Sequence, residues 1–201
     1  QGLAAMMFAN APAAMAAWGG RRPMFGTNPI AFGVPVGNAG DPIVIDLALS
    51  KVARGKIMAA KQKGVSIPGD WAIDIDGNPT TDAAKALEGT MVPAGWVKGA
   101  ALAMMVELLA AGLTGAQFGH QSSSLFDDKG KPPALGQMII AIDPVATGGP
   151  DITDHLASIA NEIAAEEGVR LPGRRGKSVR QKAEHDGVEI EEDVMDAINR
   201  I

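Results

Sequence analysis

The sequence contains no cysteine. Disulfide bonds and thiolate chemistry are therefore excluded, while the redox compartment stays open. Long hydrophobic runs are also missing: the longest, GAALAMMVELLAAGL at 99–113, is too short to span a bilayer and carries Glu107 near its middle. The amino-terminal stretch lacks the basic region and long apolar segment of a signal peptide. We expect a cytoplasmic protein without a membrane partner.

Several catalytic and binding motifs are absent as well. Neither the G-x-G-x-x-G turn of a Rossmann fold nor a Ser nucleophile elbow occurs. The stretch GRRGKS at 173–178 mimics a P-loop, but Leu171 stands where the first glycine should be. The three histidines, His120, His155 and His185, lack the spacing of metal ligands, so we expect no metal. We assign none of them a role, because His120 is a lone loop histidine without the partners that catalysis needs, and His155 and His185 are expected to be solvated.

The bulk composition is that of a globular protein. Of the 201 residues, 46% are hydrophobic and 20% are charged, and the net charge is −5. This balance argues against a nucleic-acid partner, although basic residues cluster at 170–182, where an anionic partner would be sought. The length suits one substantial core, or one domain with an appendage. The chain opens without Met in an apolar stretch, so we expect it to be a piece of something longer.

Three continuous apolar runs predict buried core strands rather than half-exposed ones. They are PIAFGVP at 29–35, PIVIDLAL at 42–49 and GQMIIAIDP at 136–144. A polar break, FGTN, precedes the first of them. Glycine at such a break serves either an ordinary loop entering a sheet or a ligand that approaches the backbone closely.

Helical periodicity occupies the segments between these strands, which indicates an α/β domain. A first helix is predicted to begin near Ser50, a good N-cap residue, and to end at Gly64. The AAKAL helix has Thr80, Thr81 and Asp82 as candidate caps. Three further helices are predicted: 98–113, which is apolar almost all round and expected to be central, 152–163, and a capped helix that ends the segment VEIEEDVMDAINRI.

Two charged residues stand at the ends of predicted elements. Asp46 ends an apolar strand, where it could accept a ribose hydroxyl or simply cap a turn. Lys98 stands at the start of a buried helix, where the macrodipole disfavours a cation. An anionic cofactor or substrate group explains that placement, and so does a lysine that reaches out to the surface.

Three further features leave alternatives open. The PGRRGK loop at 172–177 suits phosphate contacts or is a solvated surface loop. Asp74, in WAID, could orient a catalytic histidine, bind substrate or hold a turn. Glu107 lies within the apolar helix, so it must be paired, interfacial or protonated.

Five blocks carry a resemblance that spans nearly the whole chain. They are NAPAAMAAWGGRRPMFGTNPIAFGVP, IDLALSKVARGKI, IPGDWAIDIDGNPTTD, VPAGWVKGAALAMMVELLAAGLTGA and GQMIIAIDP. In order and spacing they resemble the malate/L-lactate dehydrogenase-like family, a non-Rossmann NAD(P)-dependent group. The resemblance implies a layered α/β fold, with a mixed β-sheet flanked by helices. It also implies one cofactor-binding domain over 1–201, with a core at 1–149 and a helical part at 150–201 that returns to the core.

The same resemblance implies roles for particular residues. The cofactor, NAD or NADP, is expected to contact a strand end, a helix start and a basic loop: Asp46, Leu47 and Ala48; Lys98 and Gly99; Gly173, Arg174 and Arg175. The GTNP turn, with Gly26, Thr27 and Asn28, is expected to form the active-site wall. Asp74 is carried over as a catalytic partner.

The chain departs from the family pattern at three places. Ala11 follows Asn10 where the family has Ser, and PGR at 172–174 replaces PGE, which favours a 2′-phosphate and hence NADP(H). An amino-terminal region with a Ser-His-Gly-x-x-Arg motif, whose histidine is the family's general acid/base, has no counterpart in this sequence.

The resemblance implies hydride transfer between nicotinamide and a small 2-hydroxy acid/2-keto acid of the malate or lactate type, in a homodimer. The apolar helix at 98–113 would suit the dimer interface. Two alternatives stay open: a reductase of cyclic imino acids, and a truncated, inactive module that only binds nucleotide or dimerises.

Overall fold

The structure, a computed structural model, describes residues 2–37 and 41–200. Within these ranges, eight strands form two four-stranded sheets, and seven α-helices flank them. The layered, non-Rossmann α/β class expected from the sequence is confirmed. The strands, however, are divided between two sheets rather than gathered into one.

The larger sheet is antiparallel throughout, with strand order β5-β4-β1-β8. Its strands are β1 (Ala4–Ala9), β4 (Ile30–Val34), β5 (Ile43–Leu47) and β8 (Gln137–Ile142). The first strand of the chain therefore lies inside the sheet, where Phe8 pairs with Ile30 on one side and Met138 on the other.

Both edge strands of this sheet are more exposed than the sequence predicts. Continuous apolar runs predict burial on both faces, yet β5 is exposed from Val44 to Leu47, and Ile139 in β8 is 64% exposed. The prediction of buried strands is wrong for β5 and β8, because these strands lie at the two edges of the sheet and most of their side chains stay exposed. Strand β4, between neighbours, is half-buried, and its Val34 is buried.

The smaller sheet supplies the mixed pairing. Its order is β3-β2-β7-β6, in which β2 and β7 run parallel and the other pairs run antiparallel. The strands are β2 (Met15–Ala16), β3 (Pro23–Phe25), β6 (Ala72–Ile73) and β7 (Thr90–Met91). Met15 and Met91, paired across β2 and β7, are fully buried and belong to the main core.

The sequence predicts the start of the second helix correctly but not that of the first. Helix α1 (Arg54–Gln62) begins four residues later than predicted, because the Ser50 hydroxyl donates to the Val52 carbonyl instead of capping a helix. Helix α2 (Ala83–Glu88) begins as predicted at Asp82, whose carboxylate accepts hydrogen bonds from the amides of the second and third helical residues.

Helix α3 (Val97–Glu107) continues into a π-helical turn (Leu108–Gly112). One face is buried against the core as expected, through Ala103 and Val106 among others. The prediction that the whole helix is central is wrong, since the opposite face is apolar and exposed. The exposed residues on it are Leu102, Met104, Met105 and Leu108, which we call the outer α3 face.

Four helices follow β8: α4 (Pro144–Gly148), α5 (Ile152–Ala165), α6 (Arg174–Asp186) and α7 (Glu192–Ile198). The predicted helix at 152–163 is α5, and its Ala160 packs with Val36 and Leu171 in a second small core. The basic segment expected as a loop is instead the start of α6, preceded by Gly173 in the left-handed conformation (φ 85°). Within the described ranges, no helix is both long and apolar enough to cross a membrane.

Candidate functional site

The GTNP turn, between β3 and β4, is anchored through Asn28. This side chain is fully buried, and its Nδ2 donates to the Ala103 carbonyl and to Glu107 Oε2, both at 2.8 Å. Its Oδ1 accepts from the Ala11 amide at 3.3 Å. The backbone of Asn28 has a φ of 38°, a conformation that non-glycine residues adopt only when the surroundings hold them there.

Glu107 completes this anchor. Its side chain is only 3% exposed, and Oε1 accepts a hydrogen bond from the Gly119 amide at 2.5 Å. Of the three alternatives left by the sequence, the paired one is therefore correct. Because Oε2 accepts from Asn28, one carboxylate joins the GTNP turn to the 3₁₀ turn at Gly119–Gln121.

These two turns both line a cavity of about 580 Å³, which we call the basic cavity. Thr27 lines it from the GTNP turn and His120 from the 3₁₀ turn. Its described lining includes the cations Arg22 and Arg54, the hydroxyls of Ser122 and Ser124, and no Asp or Glu. The other lining residues are Ala11, Pro12, Ala13, Ala14, Pro23, Gly119, Leu125 and Phe126.

Arg54 gives the cavity a partly buried positive charge. It is the first residue of α1, its guanidinium lies 5.9 Å from the centre of the Phe126 ring, and it donates to the Leu87 carbonyl at 3.4 Å. Burial lowers the pKa of the Arg54 guanidinium, which nevertheless stays charged at neutral pH. A charge that has lost part of its water interacts more strongly with an incoming anion.

Sequence reasoning missed most of this cavity. It assigned His120 no role, yet the structure places the imidazole in the cavity lining, stacked on Phe118 with 6.1 Å between ring centres. Arg22 and Arg54 lie 32 positions apart, in two of the resembling blocks, and nothing in the sequence pattern links them. Only the folded arrangement brings the two guanidinium groups to one cavity.

The expected wall residues are divided by the structure. Thr27 lines the basic cavity, whereas Asn28 points away from it into the core. Gly26 is buried, and a Cβ there would lie 2.3 Å from the Ala11 carbonyl oxygen. Gly26 is thus required by close backbone packing between the turn and the segment after β1.

Two of the expected cofactor-binding places come together in a second site. Asp46 of β5 lies beside Gly173, Gly176, Lys177 and Arg180 of the α6 start, in an open groove of about 520 Å³ that also contacts Val44. We call it the β5–α6 groove. A smaller cavity of about 140 Å³ adjoins it and is lined by Arg174 and by Asp41, whose Oδ2 pairs with Lys177 Nζ at 2.5 Å.

The third expected place lies outside this groove. Lys98 is exposed in the first turn of α3, and the turn before it is joined to the segment after Ala48 by the Ala94 amide, which donates to the Leu49 carbonyl at 2.8 Å. Gly99 is buried, and a Cβ there would lie 2.0 Å from the Ala94 oxygen. Packing alone therefore requires glycine at position 99.

The remaining residues expected to bind the cofactor or to take part in catalysis line neither the basic cavity nor the β5–α6 groove. Leu47 is exposed at the end of β5, Ala48 is half-buried after it, and Arg175 is exposed on α6. Asp74 Oδ1 accepts hydrogen bonds from the amides of Asp76 and Asn78, at 3.0 and 2.9 Å. Asp74 thus holds a turn, and it belongs to the lining of neither the basic cavity nor the β5–α6 groove.

Residues 1–199 match the family model for malate/L-lactate dehydrogenase. The chain belongs to the malate/L-lactate dehydrogenase family. The match covers the basic cavity and the β5–α6 groove together, and it confirms the resemblance seen in the sequence.

The chain is also similar to individual proteins over nearly its whole length. A (2R)-3-sulfolactate dehydrogenase (NADP(+)) of Chromohalobacter salexigens is 52% identical over 98% of this chain and 59% of its own length. The structure of Δ1-piperideine-2-carboxylate reductase from Pseudomonas syringae is 36% identical, with a TM-score of 0.87 over 100% of this chain and 60% of that one. A dehydrogenase from Sinorhizobium meliloti superposes with a TM-score of 0.89 at 33% identity, over 99% of this chain and 59% of that one. The chain thus spans about three fifths of the length of these relatives.

Proposed function

We propose that the protein carrying this chain is an NAD(P)-dependent oxidoreductase, which transfers a hydride between nicotinamide and a 2-hydroxy acid/2-keto acid pair. The observation that carries the proposal is the basic cavity, in which two arginines and a histidine surround a space without a described carboxylate. Such a lining suits a small organic acid, since guanidinium groups bind carboxylates in bidentate geometry.

The substrate proposed for this cavity is an acid of the malate, lactate or sulfolactate type. The sulfolactate dehydrogenase relative supports this class, because its named substrate carries a carboxylate and a sulfonate. Arg22 and Arg54 supply two separate cations for two such groups. The hydroxyls of Thr27, Ser122 and Ser124 supply further hydrogen-bond partners.

The residues of the β5–α6 groove fit a nicotinamide dinucleotide by their chemistry. Asp46 offers a carboxylate to ribose hydroxyls, and Arg174, in the adjoining cavity, offers a cation to the phosphates that join the two nucleosides. Gly176 leaves its backbone open, since a Cβ there would meet nothing within 4 Å. When bound, the dinucleotide supplies the hydride donor or acceptor, and the protein positions the two carbons between which hydride moves.

The proton that accompanies the hydride is assigned in this proposal to the family histidine, which lies outside this sequence. The carry-over of Asp74 as a catalytic partner receives no support from the geometry, because its carboxylate already accepts two backbone hydrogen bonds. The chain's own contribution is to bind the acid, to hold the cofactor and to fix the GTNP turn. Lys98 and Gly99 belong to the proposal through the family pattern.

A reductase of cyclic imino acids is the second candidate. The piperideine-2-carboxylate reductase relative favours it, and its structure aligns with the whole of this chain. Such a substrate has a single carboxylate and would leave one of the two cavity arginines without an anionic partner. The number of cations used therefore separates a cyclic imino acid from malate and sulfolactate, which carry two anionic groups, but not from lactate, which carries one.

A homodimer is part of the same proposal. The outer α3 face carries adjacent exposed apolar side chains, of which Leu108 is 54% exposed, and such a contiguous patch is typical of an interface. Light scattering of the full-length protein is expected to give a dimer, and Leu108→Lys is expected to give a monomer. A monomeric parent protein would contradict this part. We also keep a cytoplasmic location in the proposal, because a nicotinamide-dependent reaction needs a pool of that cofactor.

Steady-state kinetics of the full-length gene product test the activity. We expect NAD(P)H-dependent reduction of a 2-keto acid, and the panel should include pyruvate, oxaloacetate, 3-sulfopyruvate and the cyclic imines Δ1-piperideine-2-carboxylate and Δ1-pyrroline-2-carboxylate. Turnover of an imine alone would select the second candidate. Cofactor binding without turnover of any of them would point to the inactive nucleotide-binding module instead.

A further inference from the structure

The β5–α6 groove contains cations that the family pattern does not explain. Lys177 and Arg180 lie one turn apart on α6, and both line the groove that contains Asp46. Arg174 adds a third cation in the adjoining cavity. Three cationic side chains in these two spaces outnumber the two carboxylates, Asp41 and Asp46.

The cations and Asp46 would contact different groups of a bound nucleotide. A carboxylate in a nucleotide groove accepts ribose hydroxyls and repels a phosphate on the same ribose. Lysine and arginine do the opposite, because they attract a phosphate that carries close to two negative charges. If Asp46 accepts the 3′-hydroxyl of the adenosine ribose, the 2′ substituent of that ribose lies in the groove with Lys177 and Arg180, whose two positive charges outweigh the single negative charge of Asp46.

We propose that Lys177 and Arg180 form a subsite for the 2′-phosphate of NADP(H), and that this subsite makes the protein prefer NADP(H) to NAD(H). The inference rests on the proposed function and adds to it the selected cofactor and the residues that select it. It also shifts the phosphate contact from the PGR segment, noted in the sequence, to the next turn of α6.

Both cations are available to a phosphate. Lys177 pairs with Asp41 at 2.5 Å, but both side chains are about half exposed, and an exposed pair of this kind contributes little. Arg180 pairs with Glu184 on its own helix at 3.1 Å, where both side chains are even more exposed. A phosphate can therefore replace either carboxylate partner at small cost.

The test is a nicotinamide fluorescence titration of the full-length protein with NADPH and with NADH. Lys177→Ala and Arg180→Ala are each expected to weaken NADPH binding about tenfold, the usual effect of losing one charged contact, and to leave NADH binding within about twofold. Lys182→Ala is the matched control, since Lys182 is exposed on the same helix outside the groove lining. Alanine keeps helix propensity high at all three positions.

A second readout isolates the 2′-phosphate from the rest of the cofactor. Adenosine 2′,5′-bisphosphate should displace NADPH from the parent protein more strongly than AMP does, and this advantage should disappear in Lys177→Ala. An unchanged ratio of NADPH to NADH affinity in both variants, or an equal loss of both cofactors, overturns the subsite while leaving the proposed function intact. Failure of both cofactors to bind the parent protein overturns the two proposals together.

Discussion

Asn28 Nδ2 donates a buried hydrogen bond of 2.8 Å to Glu107 Oε2, across 79 positions of the sequence. The bond couples the GTNP turn to α3, and through the second oxygen of Glu107 it reaches the Gly119 amide. Two turns that line the basic cavity therefore depend on one carboxylate.

Exchanging the two functional groups tests this coupling. In Glu107→Gln, the amide can accept from only one of its two donors, so we expect a loss of about 1–3 kcal/mol in the free energy of unfolding. Asn28→Asp should cost at least as much, since it faces one carboxylate with another. The double variant restores a donor opposite an acceptor and should be more stable than the sum of the single losses predicts.

Urea denaturation of the four proteins measures the coupling as a double-mutant cycle. Glu88→Gln, an exposed change at the end of α2, is the control and should leave stability within about 0.5 kcal/mol. Losses that simply add, within the same margin, would show that the two side chains act independently.

Gly99 offers a test that separates packing from cofactor binding. A Cβ at this position would lie 2.0 Å from the Ala94 oxygen, so Gly99→Ala should destabilise the protein by about 1–3 kcal/mol even without cofactor. Gly55→Ala in α1 is the matched change, because its Cβ would meet nothing within 4 Å, and it should stabilise by about 0.4–1 kcal/mol. Thermal unfolding of the two variants in cofactor-free buffer measures both changes in stability. An unaffected melting temperature for Gly99→Ala would contradict the packing explanation.

Arg54→Ala tests the basic cavity. Removing a partly buried cation from an anion site should raise the KM for the acid substrate at least about tenfold, equivalent to roughly 1.4 kcal/mol. Lys56→Ala, an exposed change on the same helix, should leave KM unchanged. Initial rates with both variants make the comparison. Equal KM values for the two variants would show that the basic cavity does not bind the substrate.

The ion pair between Lys51 and Asp70 predicts a pH dependence of stability. The hydrogen bond from Lys51 lowers the pKa of the Asp70 carboxyl, so its stabilisation is complete above the unfolded pKa, near 4, and is lost as the pH falls through the lower folded pKa. Asp70→Asn should therefore be less stable than the parent above about pH 4 and should approach it in acid. Urea midpoints measured between pH 3 and pH 7 provide the test, with Asp128→Asn as an exposed control. A constant difference across that range would exclude the pair as its cause.

The sequence predicts those features that depend on neighbours along the chain. Asp82 is identifiable as a cap because its partners are the next few amides, and α5 because its apolar residues recur at helical spacing. Helix α6 was missed, since its residues are mostly polar and carry no apolar periodicity. The exposure of Ile139 could not be predicted either, because it depends on what covers β8 rather than on the residues of β8.

The candidate site was predictable only in part, for the same reason. Asp46 and Gly173 were singled out separately, and the structure brings them to one groove although 127 positions separate them. The partners of Glu107 could not be inferred, because one is a side chain in the GTNP turn and the other a backbone amide in the 3₁₀ turn. The family resemblance supplied the positions expected to bind the cofactor, whereas Arg22, Arg54 and His120 emerged only from the fold.

The place of β1 inside the larger sheet constrains how this part of the protein can fold. Strand β1 can pair with β4 soon after synthesis, but its other partner, β8, follows more than a hundred residues later. At usual rates of translation, that delay is on the order of ten seconds. During this time one edge of β1 has unpaired amides beside apolar side chains, a state that favours aggregation. Expression at low temperature or with chaperones should therefore raise the soluble yield more than substitutions of exposed residues on the folded sheet do.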